Sequence, residues 1–131
     1  MTKSQERQTP KVVWQTWITR DDVRANPDQI YVYGDNVAGE GRRGLARHLR
    51  HEPHTHAIAI SWGAFEPFTY ETADLARDHI DRDLDALSAR APATLVWPLN
   101  GIFEEFVAVP EELRLYLYQE VRRRFYLTIP A

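Results

Sequence analysis

The sequence predicts one α/β domain with a mixed, mostly parallel sheet and helices on both of its faces. Short apolar runs, typical of buried strands, alternate along the chain with amphipathic stretches, typical of helices. This alternation gives parallel strands joined by right-handed crossovers. The chain has 131 residues, which is the size of a single domain. Residues 1–10 are polar and end at a proline, so we expect a loose tail before a domain over residues 11–131.

Local signals predict the first three elements. Residues 11–19 alternate and are rich in Val, Trp and Thr, which predicts a strand. Thr19 is placed to cap a short helical turn that runs through Val23 and stops at an Asn-Pro pair. Residues 30–33 are an apolar run that predicts a buried strand, and Gly34 ends it.

The later elements continue the alternation. Residues 43–50 are predicted to form a short helix, and residues 56–61 a strand covered on both faces. Residues 72–89 carry apolar side chains at three- and four-residue spacing, which predicts an amphipathic helix. Residues 94–97 predict a third buried strand, and residues 110–124 a helix that opens with proline and two acids. The two long helices are expected to pack on the sheet through Ile80, Leu84, Leu113 and Leu117.

Composition excludes several classes of protein. There are 16 Lys and Arg against 19 Asp and Glu, a net charge of −3, which argues against a global electrostatic hold on nucleic acid. The chain has no cysteine, so disulfides, thiolate metal sites and cysteine nucleophiles are excluded. No apolar run approaches the roughly 20 residues of a membrane helix, and no secretory signal is readable. A cytoplasmic protein without a membrane partner is the expectation.

Three loops leave the carboxyl ends of the predicted strands, which is where parallel sheets bind ligands. They cover residues 34–42, 61–65 and 98–104. In the first loop, Gly41 and Gly44 lie between a buried strand and a helix start, where backbone amides approach an anion closely. The alternative is a glycine-rich turn that only joins strand to helix.

Side chains of the first loop add to this signal. Arg42 and Arg43 are cationic donors that suit phosphate, and their position at a helix start is unfavourable unless an anion compensates it. Asp35 and Asn36 offer hydrogen bonds to a sugar hydroxyl or a base edge. The first loop is therefore a predicted ligand site, and the alternative is that both arginines point into solvent.

The second and third loops are expected on the opposite lips of this site, because exit loops of adjacent parallel strands converge at one edge. Trp62 offers an aromatic shelf for a nucleobase, and its alternative role is to cap the core. Asn100 adds a polar side chain, whereas Glu104 and Glu105 would repel a phosphate.

Metal binding and catalysis have little support in the sequence. Four histidines lie close together: His48, His51, His54 and His56. Their spacing is irregular and no cysteine supports them, so we expect no metal and no cofactor. No Ser-His-Asp arrangement is readable, and Asp35 and Glu40 are the only carboxylates we name for acid–base catalysis. Whether the protein is an enzyme stays open.

Residues 19–36 resemble the opening of a small uncharacterised family found in bacteria and their phages. The match is a Thr-Arg pair, an Asn-Pro pair and the signature Val-Phe/Tyr-Gly-Asp-Asn, here Val32 to Asn36. That family is similar to macrodomains, which bind ADP-ribose. The resemblance implies a three-layer macrodomain-like fold, in which Asn36 contacts the distal ribose and Gly41 to Gly44 meet phosphate.

The chain departs from the family pattern in its loops. Arg43 stands where the family has glycine, and Leu45 where it has glutamine. In the second loop Ser61, Trp62 and Gly63 replace proline, threonine and lysine. The third loop, residues 100–104, lacks most glycines of the macrodomain phosphate cradle. The resemblance therefore implies a diverged member with altered second and third loops.

Two functions follow from these observations. The first is binding of a nucleotide-like ligand, ADP-ribose or a related phosphate-containing signal, without established catalysis. Its predicted ligand residues are Asp35, Asn36, Gly41, Arg42, Arg43, Gly44, Trp62 and Asn100. The alternative is a non-enzymatic phage or mobile-element protein that binds and inhibits a host protein complex. The alternative is favoured by the surplus of aromatics, 4 Trp, 6 Tyr and 5 Phe, because such residues are enriched at interfaces.

Overall fold

A five-stranded sheet forms the centre of the computed structural model, which describes residues 10–40, 44–63, 66–98, 102 and 109–125. The strands are β1 Lys11–Gln15, β2 Gln29–Asn36, β3 Thr55–Gly63, β4 Glu66–Pro67 and β5 Thr94–Pro98. The helices are α1 Arg20–Ala25, α2 Gly44–Leu49, α3 Ala73–Ala89 and α4 Glu111–Phe125. The strand order is β1-β5-β2-β3-β4. Every pairing is parallel except that of β3 with β4, so the predicted α/β class and mostly parallel sheet are confirmed.

Strands β2 and β3 are longer than the sequence predicts. The predicted first loop begins at Gly34, but Gly34 and Asp35 pair with β3, and β2 continues to Asn36. Trp62 and Gly63, predicted as loop, belong to β3 because the chain turns back and pairs as the two-residue strand β4. β4 itself was not predicted, since two residues carry no alternating pattern.

Helix α1 begins where the predicted cap lies. The hydroxyl of Thr19 accepts a hydrogen bond from the backbone N–H of Asp22 at 3.1 Å. The carboxylate of Asp22 accepts one from the backbone N–H of Thr19 at 3.0 Å. This reciprocal capping box satisfies two amides that the helix itself leaves open, and it fixes the chain between β1 and α1.

The core consists of two clusters of buried side chains. The larger cluster joins the sheet to α3 and α4, and it contains the predicted contacts Ile80, Leu84, Leu113 and Leu117, all fully buried. The smaller cluster joins Tyr31 and Tyr33 of β2 to α1 and α2. Val32 belongs to the larger cluster, as expected where consecutive side chains of a strand point to opposite faces.

Helix α3 also covers the outer edge of β3 before β4 begins. The carboxylate of Asp83 accepts the backbone N–H of Ala59 at 2.8 Å. The guanidinium of Arg90 donates to the carbonyl of Thr55 at 2.6 Å. Backbone groups that lack a neighbouring strand are thereby satisfied by side chains. Within the described ranges, no helix is both long and apolar enough to cross a membrane.

Candidate functional site

The carboxyl end of β2 carries two buried polar residues, in the middle of the sheet. Asp35 is 3% exposed and Asn36 is 7% exposed; both pair with β3, and both come after the part of β2 that pairs with β5. The register shifts between them, because Asp35 pairs with Ala59 whereas Asn36 pairs with Ser61. Such an irregularity redirects a side chain at the end of a strand. These are the only buried polar residues among those that the structure describes.

Arg50, directly after α2, holds Asp35 in place. Its Nε donates to Oδ2 of Asp35 at 2.9 Å, and its Nη2 donates to Oδ1 at 3.2 Å. Oδ1 also accepts the backbone N–H of Asn36 at 2.8 Å. The hydrogen bonds to Asp35 raise the pKa of Arg50 above its usual range. Asp35 is therefore a fixed, charge-paired carboxylate, and this placement suits positioning better than proton transfer.

Tyr33, two residues before Asp35, has a pKa that is changed by burial. Burial, and then the negative charge of Asp35, raise the pKa of Tyr33 to about 12. The phenol therefore stays neutral at physiological pH and contributes no charge to the site.

The side chain of Asn36 organises the loop that follows β2. Its Oδ1 accepts the backbone N–H of Glu40 at 3.0 Å, and its carbonyl accepts the N–H of Gly39 at 2.9 Å. A backbone N–H only donates, so the oxygen of the amide must face the loop, and Nδ2 must point the other way. Gly39 has φ of 70°, a left-handed conformation that glycine adopts without strain.

The side-chain nitrogen of Asn36, Nδ2, is the hydrogen-bond donor of the site that is available to a ligand. Nδ2 has no hydrogen-bond partner among the residues that the structure describes. No fully buried side-chain nitrogen or oxygen in those residues lacks a partner, so Nδ2 must reach the surface. A residue buried over nine-tenths of its area thus presents one hydrogen-bond donor at the carboxyl edge of the sheet.

Gly34 brings the segment after β5 against the end of β2. A Cβ at this position would lie 2.5 Å from the carbonyl oxygen of Ile102 and 2.9 Å from Cγ2 of Ile60. Only glycine allows this close approach of the two backbones. Close packing next to the site therefore explains why the Val-Tyr-Gly-Asp-Asn segment has glycine at position 34.

The structure brings together only some of the predicted ligand residues. Asp35 and Asn36 are adjacent, and Gly44 begins α2. Gly41, Arg42, Arg43 and Asn100 lie outside the described residues.

Trp62 is directed to the α3 side of the molecule. Its Nε1 donates to the hydroxyl of Thr72 at 3.1 Å, and its ring meets Phe68 and His79 edge to face, at 4.8 and 5.3 Å between centroids. Asp35, in contrast, is bound by Arg50 after α2. These contacts place Trp62 at the border of the larger core cluster, and its role as a ligand residue stays a prediction.

One residue of this site was missed in the sequence. Arg50 lies 15 residues from Asp35, and no local spacing links them. Trp17, one of the aromatic residues that exceed what a small core must hold, is 79% exposed.

His56 lies in the contact between β3 and α3. Its Nε2 lies 2.8 Å from the carbonyl oxygen of Asp83, and its Nδ1 lies 3.2 Å from Nη1 of Arg90. Because the carbonyl only accepts and the guanidinium only donates, the ring is neutral with its proton on Nε2. Within the described part of the chain, no group of three His, Asp or Glu side chains is arranged to hold a metal.

Comparison with known proteins gives one match. The model of a family of unknown function, DUF7831, matches residues 13–112, which include Trp17, Asp35, Asn36 and Arg50. No curated protein and no solved structure matches the chain.

Proposed function

Since the chain belongs to the DUF7831 family, whose function is unknown, we propose from its own residues that it binds a nucleotide-like ligand such as ADP-ribose. The ligand lies at the carboxyl edge of the sheet, beside the loop from β2 to α2. The single observation that carries this proposal is the open Nδ2 donor of the buried Asn36. The macrodomain-like arrangement of three layers belongs to the same proposal.

The open amide is available to a ligand because its oxygen is already bound within the loop, whereas Nδ2 reaches the surface. A hydrogen bond made by a donor on a largely buried residue is stronger than one made in open water. The amide is also fixed before any ligand arrives, because Arg50 holds Asp35, and Asp35 holds the backbone of Asn36. A donor fixed in advance loses little conformational entropy on binding.

The chemistry of the edge suits a phosphorylated sugar. Nδ2 of Asn36 donates to a hydroxyl oxygen of the ribose, as the resemblance of residues 19–36 to the macrodomain-like family implies. Gly41, Arg42, Arg43 and Gly44 are the residues that we propose for the phosphate, and Asn100 is proposed as a further ligand residue; of these five, Gly44 alone is among the described residues. We propose binding without catalysis. The carboxylate of Asp35 is paired with Arg50. The contact of Glu40 with the site is made by its backbone N–H.

The test is calorimetric titration of ADP-ribose into the wild type and Asn36→Asp. Aspartate keeps an oxygen that accepts the N–H of Glu40, but it replaces the Nδ2 donor with an acceptor. Loss of one hydrogen bond weakens binding by about 2- to 13-fold, and the added negative charge weakens it further. Asn36→Ser gives a second variant, without added charge, if Asn36→Asp folds poorly.

Asn26→Asp is the matched control. The Nδ2 of Asn26 is bound within the protein, to the carbonyl of Asp22 at 2.8 Å, so its loss changes stability and leaves ADP-ribose affinity intact. Equal affinity in the wild type and both Asn36 variants would refute the proposal, as would the absence of binding to the wild type.

A second candidate function is favoured by the exposure of aromatic side chains. Trp17 is 79% exposed and Tyr70 is 70% exposed, and such residues often anchor protein partners. In this alternative the protein binds and inhibits a host protein complex without catalysis. It predicts that ADP-ribose gives no thermal stabilisation, whereas ligand at 100 times its dissociation constant adds about 2.7 kcal/mol if the first proposal holds.

A further inference from the structure

The outer side of β1 is an open edge of the sheet. β1 is the first strand in the order β1-β5-β2-β3-β4, so among the described strands it has a neighbour on one side only. Side chains of α3 bind backbone groups of β3 near the opposite edge, but no described residue does the same for β1. Edge strands commonly carry charges or prolines that prevent association. The sequence of β1 is Lys-Val-Val-Trp-Gln, which leaves the centre of its edge apolar.

The pairing with β5 determines which backbone groups of β1 are open. The N–H of Lys11 donates to the carbonyl of Ala93, directly before β5, at 2.8 Å. Successive residues of a strand direct their backbone groups to opposite sides, so every second residue from Lys11 onward bonds to β5. Val12 and Trp14 lie between those residues. The N–H and C=O groups of these two residues therefore point to the outer edge.

We propose that the outer edge of β1 binds β1 of a second copy of this chain in antiparallel orientation, so that the two sheets become one. In an antiparallel pair, residues that exchange both backbone hydrogen bonds alternate with residues that exchange none. The open residues of β1 have this same spacing. Val12 of each copy therefore pairs with Trp14 of the other, around a two-fold axis beside Val13, and every open group gains a partner. One surface thus binds its own copy, as the commonest dimers do.

The residues at the two ends of β1 favour this register over its neighbours. A two-fold axis beside Val12 would place Trp14 of one copy opposite Pro10 of the other. Proline has no N–H, so the carbonyl of Trp14 would lack a donor there. An axis beside Trp14 would place Val12 opposite Thr16, which lies beyond the end of β1. The register centred on Val13 is the one that uses only open groups of β1.

The side chains of β1 suit the same register. Lys11 lies opposite Gln15 of the second copy, so no like charges face each other. Val12 lies beside Trp14 of the second copy, and both side chains are only partly buried against the larger core cluster. An aromatic side chain beside a β-branched one is a favourable cross-strand pair. A second copy therefore covers apolar surface that β1 leaves exposed, and this inference is independent of ADP-ribose binding.

Analytical ultracentrifugation of the whole chain over a range of concentrations measures the association. We expect the mass to rise with concentration from the 15.3 kDa of one chain to twice that value. Val12→Pro removes an open N–H without removing a bond to β5, and proline is tolerated at such edge positions. One hydrogen bond from each copy is lost, so the dissociation constant of the dimer should rise by about 5- to 150-fold. Val12→Ala is the matched control, because it shortens the same side chain but keeps the N–H, and it should weaken the dimer less.

Cross-linking through a single introduced cysteine tests the register and does not depend on a proline being accommodated. The chain has no cysteine of its own, so a single one can form a disulfide only with another copy. Facing residues that exchange no hydrogen bonds have Cα atoms about 4.5 Å apart, which a disulfide can span. Val13→Cys should therefore give a disulfide-linked dimer on mild oxidation. Lys11→Cys is the matched control, because in this register the two copies of residue 11 are about 14 Å apart.

Each result decides the inference. A wild type that remains monomeric at every concentration overturns it, even if β1 then binds an extended segment of another protein. Equal weakening of the dimer by Val12→Pro and Val12→Ala overturns it, because the open N–H then makes no contact between copies. Cross-linking of Lys11→Cys as readily as Val13→Cys overturns the register. A dimer that Val12→Pro weakens more than Val12→Ala, with cross-linking selective for Val13→Cys, supports the inference.

Discussion

Replacing Arg50 by methionine tests how the buried end of β2 is held. Methionine keeps much of the length of the side chain but removes both hydrogen bonds to Asp35, at 2.9 and 3.2 Å. The side chain of Asp35 is only 2% exposed, so water does not replace the lost partner. Breaking a buried ion pair from one side costs about 3–5 kcal/mol. The Arg50 side chain is 22% exposed, and we therefore expect about 3 kcal/mol.

The assay is urea unfolding of the wild type, Arg50→Met and Arg24→Met. Arg24 is the matched control, because it is also paired with an acid, Glu52, at 2.6 Å, but its side chain is 62% exposed. Exposed pairs contribute little, so Arg24→Met should unfold at nearly the same urea concentration as the wild type.

A double variant, Asp35→Asn with Arg50→Met, completes the test. It removes the buried charge together with its partner and should regain part of the lost stability. If Arg50→Met is no less stable than Arg24→Met, the reasoning about the buried pair is refuted.

Three further predictions concern the fold around the site, each measured as a free energy of unfolding. Gly34→Ala should destabilise by about 1–3 kcal/mol because its Cβ meets a carbonyl oxygen at 2.5 Å, whereas Gly63→Ala, whose contacts begin at 3.8 Å, should not; equal effects would contradict the close approach. Burial, and the charge of Arg90, lower the pKa of His56 below 6.5, so the unfolded chain binds more protons between the two values, and stability should rise as pH rises through that window. In His56→Gln the increase of stability with pH should be smaller, and a pH profile equal to that of the wild type would contradict the assignment of this increase to His56. Leu84→Ala should cost about 2–5 kcal/mol, since Leu84 is fully buried, while a loss below half a kcal/mol would show that its side chain does not support the core.

The regular elements were predictable because local patterns determine them. The apolar runs at residues 30–33, 56–61 and 94–97 became the three adjacent strands β2, β3 and β5. The spacing of apolar residues gave α3 and α4, and Thr19 gave the cap of α1. Burial of a continuous apolar run leaves the chain few alternatives to a central strand.

The arrangement of the site was less predictable, because it depends on contacts between distant residues. Asp35 and Asn36 were selected from the sequence, but their place inside β2 follows from pairing with β3, which no local pattern shows. The partner of Asp35, Arg50, comes from the far end of α2. The hydrogen bond from Trp62 to Thr72 likewise joins residues ten positions apart, and no local pattern shows it.

The most direct test of the central claim is the side-chain amide of Asn36 in a proton–nitrogen NMR spectrum. Its NH₂ signals are assigned by their loss in Asn36→Asp, and those of Asn26 by their loss in Asn26→Asp. On titration with ADP-ribose we expect the Asn36 signals to shift in a saturable manner, because Nδ2 gains its missing partner, while those of Asn26, already bound to Asp22, stay in place. Asn36 signals that do not move at saturating ADP-ribose would contradict the account.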